Sequence, residues 1–197
     1  MRIMLLFLCL ACSALISAQE YEREHFLKTD TTWTKEYFDL PTGFAQDMTV
    51  RGIEEAIFPP GWGKVEHAEF WSYIFVWAVN TTEPLTEHDL EMNLELYFDG
   101  LMDVKQKDST VNKLPSTALL VPTESATGNT VYTGKIRVFD RFRTQKMMTL
   151  NLKAEQQFCP AQEKSIIVFR FSPATFDKAV WKKLNAIPLR EAICDLN

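Results

Sequence analysis

The chain is poor in glycine, histidine and cysteine: its 197 residues hold seven glycines, three histidines and four cysteines. None of the glycines falls in the order G-x-x-x-x-G-K, so a phosphate-cradling loop is excluded. The three histidines are scattered and, beyond Cys9 and Cys12 of the N-terminal end, no two thiols lie close together, a poor donor set for zinc. No G-x-S-x-G occurs to expose a nucleophilic serine. Basic residues are also outnumbered, 21 Lys and Arg against 26 Asp and Glu, for a formal net charge of −5. That balance excludes general nucleic-acid binding, which needs a basic domain. Beyond the N-terminal end no run approaches eighteen apolar residues, so the sequence predicts no membrane-spanning helix and no integral membrane protein. No cofactor and no metal is expected.

The N-terminal end is different. Arg2 is followed by an apolar run, Ile3–Ile16, interrupted only by Ser13, and then by Ile16-Ser17-Ala18. This pattern predicts a signal peptide over 1–18, cut before Gln19. The alternative is lipoprotein processing at Cys12, although Cys9 stands where an aliphatic residue is wanted. The protein is expected to be periplasmic or secreted, with lipoprotein anchoring at Cys12 as the alternative. Residues 19–197 then form a single domain, long enough to bury a core without metal or disulfide. Cys159 and Cys194 remain, and in an oxidising compartment they are expected to pair; two unpaired structural thiols are the alternative.

Phe58–Asn80 reads FPPGWGKVEHAEFWSYIFVWAVN, a turn and a polar loop followed by an almost wholly apolar run. Pro60-Gly61 fits the centre of a type II turn, with positive φ at the glycine. Phe70–Val79 is expected to be a central strand, apolar on both faces and therefore buried on both. Around it, 19–30 reads as a loose arm or short helix, Trp33–Leu40 as an edge strand and Met48–Phe58 as a second strand. Thr86 caps a helix whose stripe Leu90, Leu94, Tyr97, Phe98 and Leu101 runs on to about Lys107. Ser116–Val121 is a strand closed by Pro122, reached by a parallel crossover or an antiparallel return; the sequence admits both. Tyr132–Val138 and Met148–Glu155 alternate wet and dry as a half-exposed hairpin, Lys164–Ser172 is a further strand, and a last helix starts at Ser172-Pro173. The fold expected is α+β: an antiparallel-rich sheet of about six strands with two main helices packed on it.

Candidate chemistry is sparse. Glu54 and Glu55 point to opposite faces of a strand and so cannot share a reaction site; they read as separate surface or rim carboxylates. Rings at alternate positions of the central strand form either a stacking platform for a sugar or greasy ligand, or a sheet core under the first helix; the second is preferred, since buried aromatics mostly serve packing. Trp62 is the better candidate for an exposed ring. Glu66, His67 and Glu69 share its loop. Lys135, Arg137, Arg141, Arg143 and Lys146 cluster within twelve positions. They suit weak anion binding through Arg137, Arg141 and Arg143, or a solvated hairpin that blunts a sheet edge. Arg170, inside an apolar strand, needs a carboxylate partner or a path to the rim.

The segments GIEEAIFPPGW, EFWSYIFVW, LYFDGL and FRFSPATFDKAVWKKL together resemble a group of uncharacterised exported bacterial proteins, over nearly the whole of 19–197. The resemblance implies bacterial export and carries over no activity and no site residue. The coarse layout is similar to PsbP-like periplasmic domains in architecture alone. The sequence therefore reads as a non-enzymatic envelope protein that binds an unknown ligand or envelope partner through a groove near Trp62 and the central strand. One alternative is a hydrolase using Glu66, His67 and Glu69 of the Pro59–Glu69 loop. Another is a partner-binding module with a large exposed apolar patch.

Overall fold

The computed structural model describes residues 25–29, 32–105, 114–125 and 128–195. The signal segment expected over 1–18, with Cys9 and Cys12, lies outside them, as does most of the loop after the first helix. In chain order the elements are β1 (Thr34–Leu40), β2 (Gly52–Phe58), β3 (Tyr73–Asn80), α1 (Glu87–Leu101), β4 (Thr117–Thr123), β5 (Thr130–Asp140), β6 (Lys146–Cys159), β7 (Lys164–Ser172) and α2 (Ala179–Asn185). The strands form one sheet in the order β1-β2-β3-β7-β6-β5-β4, every neighbouring pair antiparallel. Seven strands stand where about six were expected, and both edge strands pair along their full length. The fold is thus α+β with a wholly antiparallel sheet. Directions alternate, so β3 and β4 run the same way without touching, and α1 carries the chain from one half of the sheet to its far edge.

β3 is buried from Tyr73 to Val79 on both faces. Tyr73, Phe75, Trp77 and Val79 face α1, meeting Leu90, Leu94, Tyr97 and Phe98 of the expected helical stripe. Ile74, Val76 and Ala78 face α2 and the arm, meeting Val180, Trp181, Leu184, Phe26 and Leu27. Each such side chain contributes about 1.5–3 kcal/mol on full burial. The arm is not loose over its described part: Leu27 bridges Leu189, and Arg190 N–H donates to Phe26 O at 2.8 Å.

Several boundaries differ from expectation for local reasons. β3 starts at Tyr73 rather than Phe70, since Phe70 and Ser72 amides close turns onto His67 and Glu69 carbonyls. α1 begins at the expected Thr86 capping box, Asp89 N–H donating to Thr86 Oγ1 at 3.2 Å and Thr86 N–H to Asp89 Oδ2 at 3.0 Å. It ends at Leu101, because Asp103 takes a left-handed φ of 53° and turns the chain away. α2 begins at Ala179 rather than Ser172, because 172–178 is spent on turns held by Ser172 Oγ and Thr175 O. Pro122 does not close β4 but sits inside it, tolerated because β4 is an edge strand.

Charged groups go deeper than the sequence suggests. Glu54 and Glu55 do point to opposite faces, yet neither is at a rim: both are buried, at 1% and 0% exposure. Glu55 accepts from the amides of Phe26 at 2.6 Å and Leu27 at 3.2 Å, which pins the arm to the sheet. Arg170 finds carbonyls instead of a carboxylate, donating to Leu184 O in the last turn of α2 at 3.0 Å and to Ile187 O just past it at 2.8 Å. Burial pulls its pKa below the ordinary arginine value.

The edge strand β4 is closed by α1. Glu91, Glu95 and Asp99, spaced four apart on one helix face, accept from the amides of Leu120 at 2.6 Å, Ala118 at 2.9 Å and Ser116 at 2.6 Å. The β5–β6 hairpin therefore does not blunt an edge as its basic residues suggested. It lies inside the sheet, between β4 and β7. Cys159 and Cys194 are joined as a disulfide, their Cα atoms 5.3 Å apart, tying the C-terminal tail to the end of β6. No helix among the described residues is long and apolar enough to cross a membrane.

Candidate functional site

The α1 side of β1–β3 is longer than the helix that covers it, and beyond the end of α1 a cavity of about 690 Å³ opens. That volume is in the range of small-molecule pockets, roughly 300–1,000 Å³. Alternation places Thr34, Glu36 and Phe38 of β1, Phe58 of β2 and Tyr73 of β3 on its sheet wall. Tyr97 and Leu101 close it from α1, and Phe44 from the loop before β2. Trp62, Lys64 and Trp71 enter from the loop after β2, and Phe142 and Arg143 from the β5–β6 loop. Eight of its lining residues are aromatic.

Two loops shape the mouth. The 59–72 segment is a succession of tight turns, in which amides of Trp62, Lys64, His67, Phe70 and Ser72 each reach a carbonyl three residues back. Pro60-Gly61 is within a turn, but Gly61 does not take the positive φ of a type II turn. Glycine is needed there for closeness, since a Cβ would stand 1.9 Å from His67 Nδ1. The left-handed residue is Trp71, with φ of 50°. A bulky side chain in that region carries about 1–3 kcal/mol of strain, a device met at binding sites. It lays the buried indole against Phe142, ring centres 6.2 Å apart, and the backbone N–H of Trp71 donates to Trp62 O at 3.0 Å. In the second loop, buried Asp140 accepts from the amides of Phe142 at 3.0 Å, Arg143 at 3.1 Å and Thr144 at 2.7 Å, fixing the two residues that reach the mouth.

The polar groups of the floor are unevenly satisfied. Glu54, just behind the wall, accepts from Trp77 Nε1 and Tyr97 Oη, each at 2.9 Å. Burial pushes its pKa up from 4.5 to about 7, against the pull of those two bonds and with some help from the Glu36 charge. Tyr73 Oη and Trp62 Nε1, by contrast, are buried with no hydrogen-bond partner. Both residues line the cavity. Burial, and the nearby Glu54, hold the Tyr73 hydroxyl well above the ordinary tyrosine pKa, so it is a neutral donor.

The candidate residues from the sequence separate. Trp62 and Arg143 line the cavity. Trp62 is half-buried rather than an exposed ring, packed on Phe58, Trp71 and Tyr73. Arg141 is turned to Asp103, at 3.4 Å. Arg137 is exposed on the opposite face of the sheet, beside Thr117 and Thr149. Glu66 is exposed on the loop, and His67 Nδ1 accepts from Glu69 N–H at 3.1 Å. The Glu69 carboxylate accepts from Gly61 N–H at 3.0 Å and Lys183 Nζ at 2.6 Å, so it latches the loop to α2. Phe38, Phe44, Lys64, Tyr97 and Phe142 gave no sequence signal of a shared site, because the topology alone brings them together. Among the described residues no group of three or more His, Cys, Asp or Glu could hold a metal ion. Comparison of the chain with family models, curated proteins and solved structures finds no match, which leaves the geometry to carry the functional reading.

Proposed function

We propose that the protein is a non-enzymatic binding domain whose aromatic cavity takes a small, mainly apolar molecule carrying an acceptor oxygen. The observation that carries this is the pair of unpartnered buried donors, Tyr73 Oη and Trp62 Nε1, on the lining of an aromatic cavity. A buried polar group without a partner costs about 1–3 kcal/mol. A ligand oxygen bonded to these groups removes that cost. We also place the protein outside the cytosol, in the bacterial envelope or secreted, on the N-terminal apolar run, the resemblance to exported bacterial proteins and the Cys159–Cys194 pair, since disulfides persist in oxidising compartments.

The test uses prodan, a neutral naphthalene ketone whose emission shifts to the blue in an apolar site. The expected result is saturable binding with energy transfer from tryptophan. Tyr73→Phe removes a hydroxyl that no protein group uses, so it should raise the stability of the free protein by about 1 kcal/mol while weakening prodan about tenfold. Trp62→Ala should weaken prodan further. Absence of saturable binding, or binding indifferent to both substitutions, refutes the pocket reading.

A further inference from the structure

Several described cations have partners: Arg141 faces Asp103 at 3.4 Å, Lys183 faces Glu69 at 2.6 Å, and Arg170 is spent on backbone carbonyls. Two others meet at the cavity. Arg143 and Lys64 come from different loops, both are exposed, and both line the mouth. Among the described residues neither stands within ion-pair distance of a carboxylate. Their convergence in a chain of net charge −5 is against the general field of the molecule.

The position of Arg143 is built. Its amide is held by Asp140, and its guanidinium lies over Gly63, where a Cβ would come within 2.6 Å of Nη2. A planar guanidinium and an ammonium on the lining of one cavity suit a carboxylate or phosphate group. The one carboxylate of the lining, Glu36, belongs to β1, on the sheet wall rather than on these loops. It repels an anion and so directs a negative head toward Arg143 and Lys64, with the apolar body against Phe38 and Phe58.

Resting on the pocket reading above, we infer that the ligand is an amphiphilic anion whose negatively charged head is held by Arg143 and Lys64. The head chemistry is shared by a free fatty acid and a phosphorylated lipid. Displacement of prodan at pH 8 and fixed ionic strength, by ten-carbon chains differing only in the head, separates the possibilities. Decanoate or decyl phosphate should displace prodan at a midpoint at least tenfold below that of decanol, with decylammonium the weakest. Whichever anion is the better of the two names the source of the head, and either order supports the inference. In the double variant Arg143→Gln with Lys64→Gln the decanol-to-anion ratio should fall to about one. The ratio is internal to each protein, so a general loss of affinity does not imitate the result. A ratio near one in the native protein, a ratio that survives the double substitution, or a preference for decylammonium overturns the anionic head and leaves the pocket standing. Failure of every ten-carbon chain to displace prodan, or of prodan to bind at all, overturns both.

Discussion

Glu54 receives its hydrogen bonds from Trp77 and Tyr97 on the α1 face of the sheet, and Glu55, the next residue, from the Phe26 and Leu27 amides on the other. Strand alternation, which the sequence shows, separates them. Their burial was not legible, because the partners of Glu54 lie 23 and 43 residues away and those of Glu55 in an arm 28 and 29 residues back. Arg170 was misjudged for the same reason: carbonyls at the C-terminal end of α2 and just past it satisfy it, and a carbonyl has no sequence signature. Glu54 also makes stability depend on pH. Its native pKa of about 7 lies above the ordinary 4.5, so the folded state holds a proton that the unfolded state has released. The contribution of Glu54 to stability is therefore greatest below 4.5, falls as pH rises through this window, and above 7 carries the whole penalty of about 3 kcal/mol. Urea midpoints should drop between pH 5 and pH 8 in the native protein. Glu54→Gln, which has no charge to bury, should flatten that slope and be the more stable protein at pH 8. A slope unchanged by the substitution removes Glu54 as its cause.

At the scale of elements, α1 and β4 fit by dimensions. Four residues of helix rise about 6.0 Å and two residues of strand about 6.6–6.8 Å. Carboxylates at 91, 95 and 99 can therefore meet alternate amides at 120, 118 and 116, with the helix and strand running in opposite directions. The helix itself was legible, with its cap, its apolar stripe and its start. The ladder was not, since acids four apart on a helix read as a solvated face. Nor was the start of β3, where the aromatic run, broken only by Ser72, includes the left-handed Trp71. Tertiary contacts there override β-propensity. The ladder does what edge strands require, occupying amides that could pair with a second chain. β4 needs this cover, because Leu119 and Val121 on its other face are 61% and 50% exposed. Glu95→Ala removes the middle rung and strands the Ala118 amide, so it should lower stability by about 1–3 kcal/mol. Glu91→Ala with Glu95→Ala should also produce concentration-dependent oligomers by light scattering. A double variant that is monomeric and of native stability rules out the edge-sealing role.

Across the whole molecule the sheet divides two unequal layers, and the candidate site lies wholly on one of them. The loop that holds Trp62 could be picked out in the sequence, because irregular backbone with an aromatic follows a Pro-Pro-Gly turn. The rest of the cavity could not, since its walls come from β1, β2, β3, α1 and two other loops whose neighbourhood is a product of strand order. The opposite layer is thin: residues 25–29, α2 and the C-terminal tail. It is held by Glu55, by Arg170, by the Leu27–Leu189 bridge and by the Cys159–Cys194 disulfide. The bridge closes a loop of 35 residues, which in the chain-entropy model contributes about 3–4 kcal/mol. Its loss should not be felt evenly. Core β3 and β7 pack on both faces, whereas the tail has few other anchors, so reduction should open the thin layer first. Amide exchange after Cys159→Ser with Cys194→Ser should accelerate at Leu27, Lys28 and residues 187–195, while the amides of Phe75, Trp77 and Phe98 keep their rank as the slowest. Because the cavity is on the other face, prodan affinity should persist in that variant below its unfolding transition. Uniform acceleration across both layers, or prodan binding lost together with tail protection, shows instead that the two faces of the sheet unfold as a single unit.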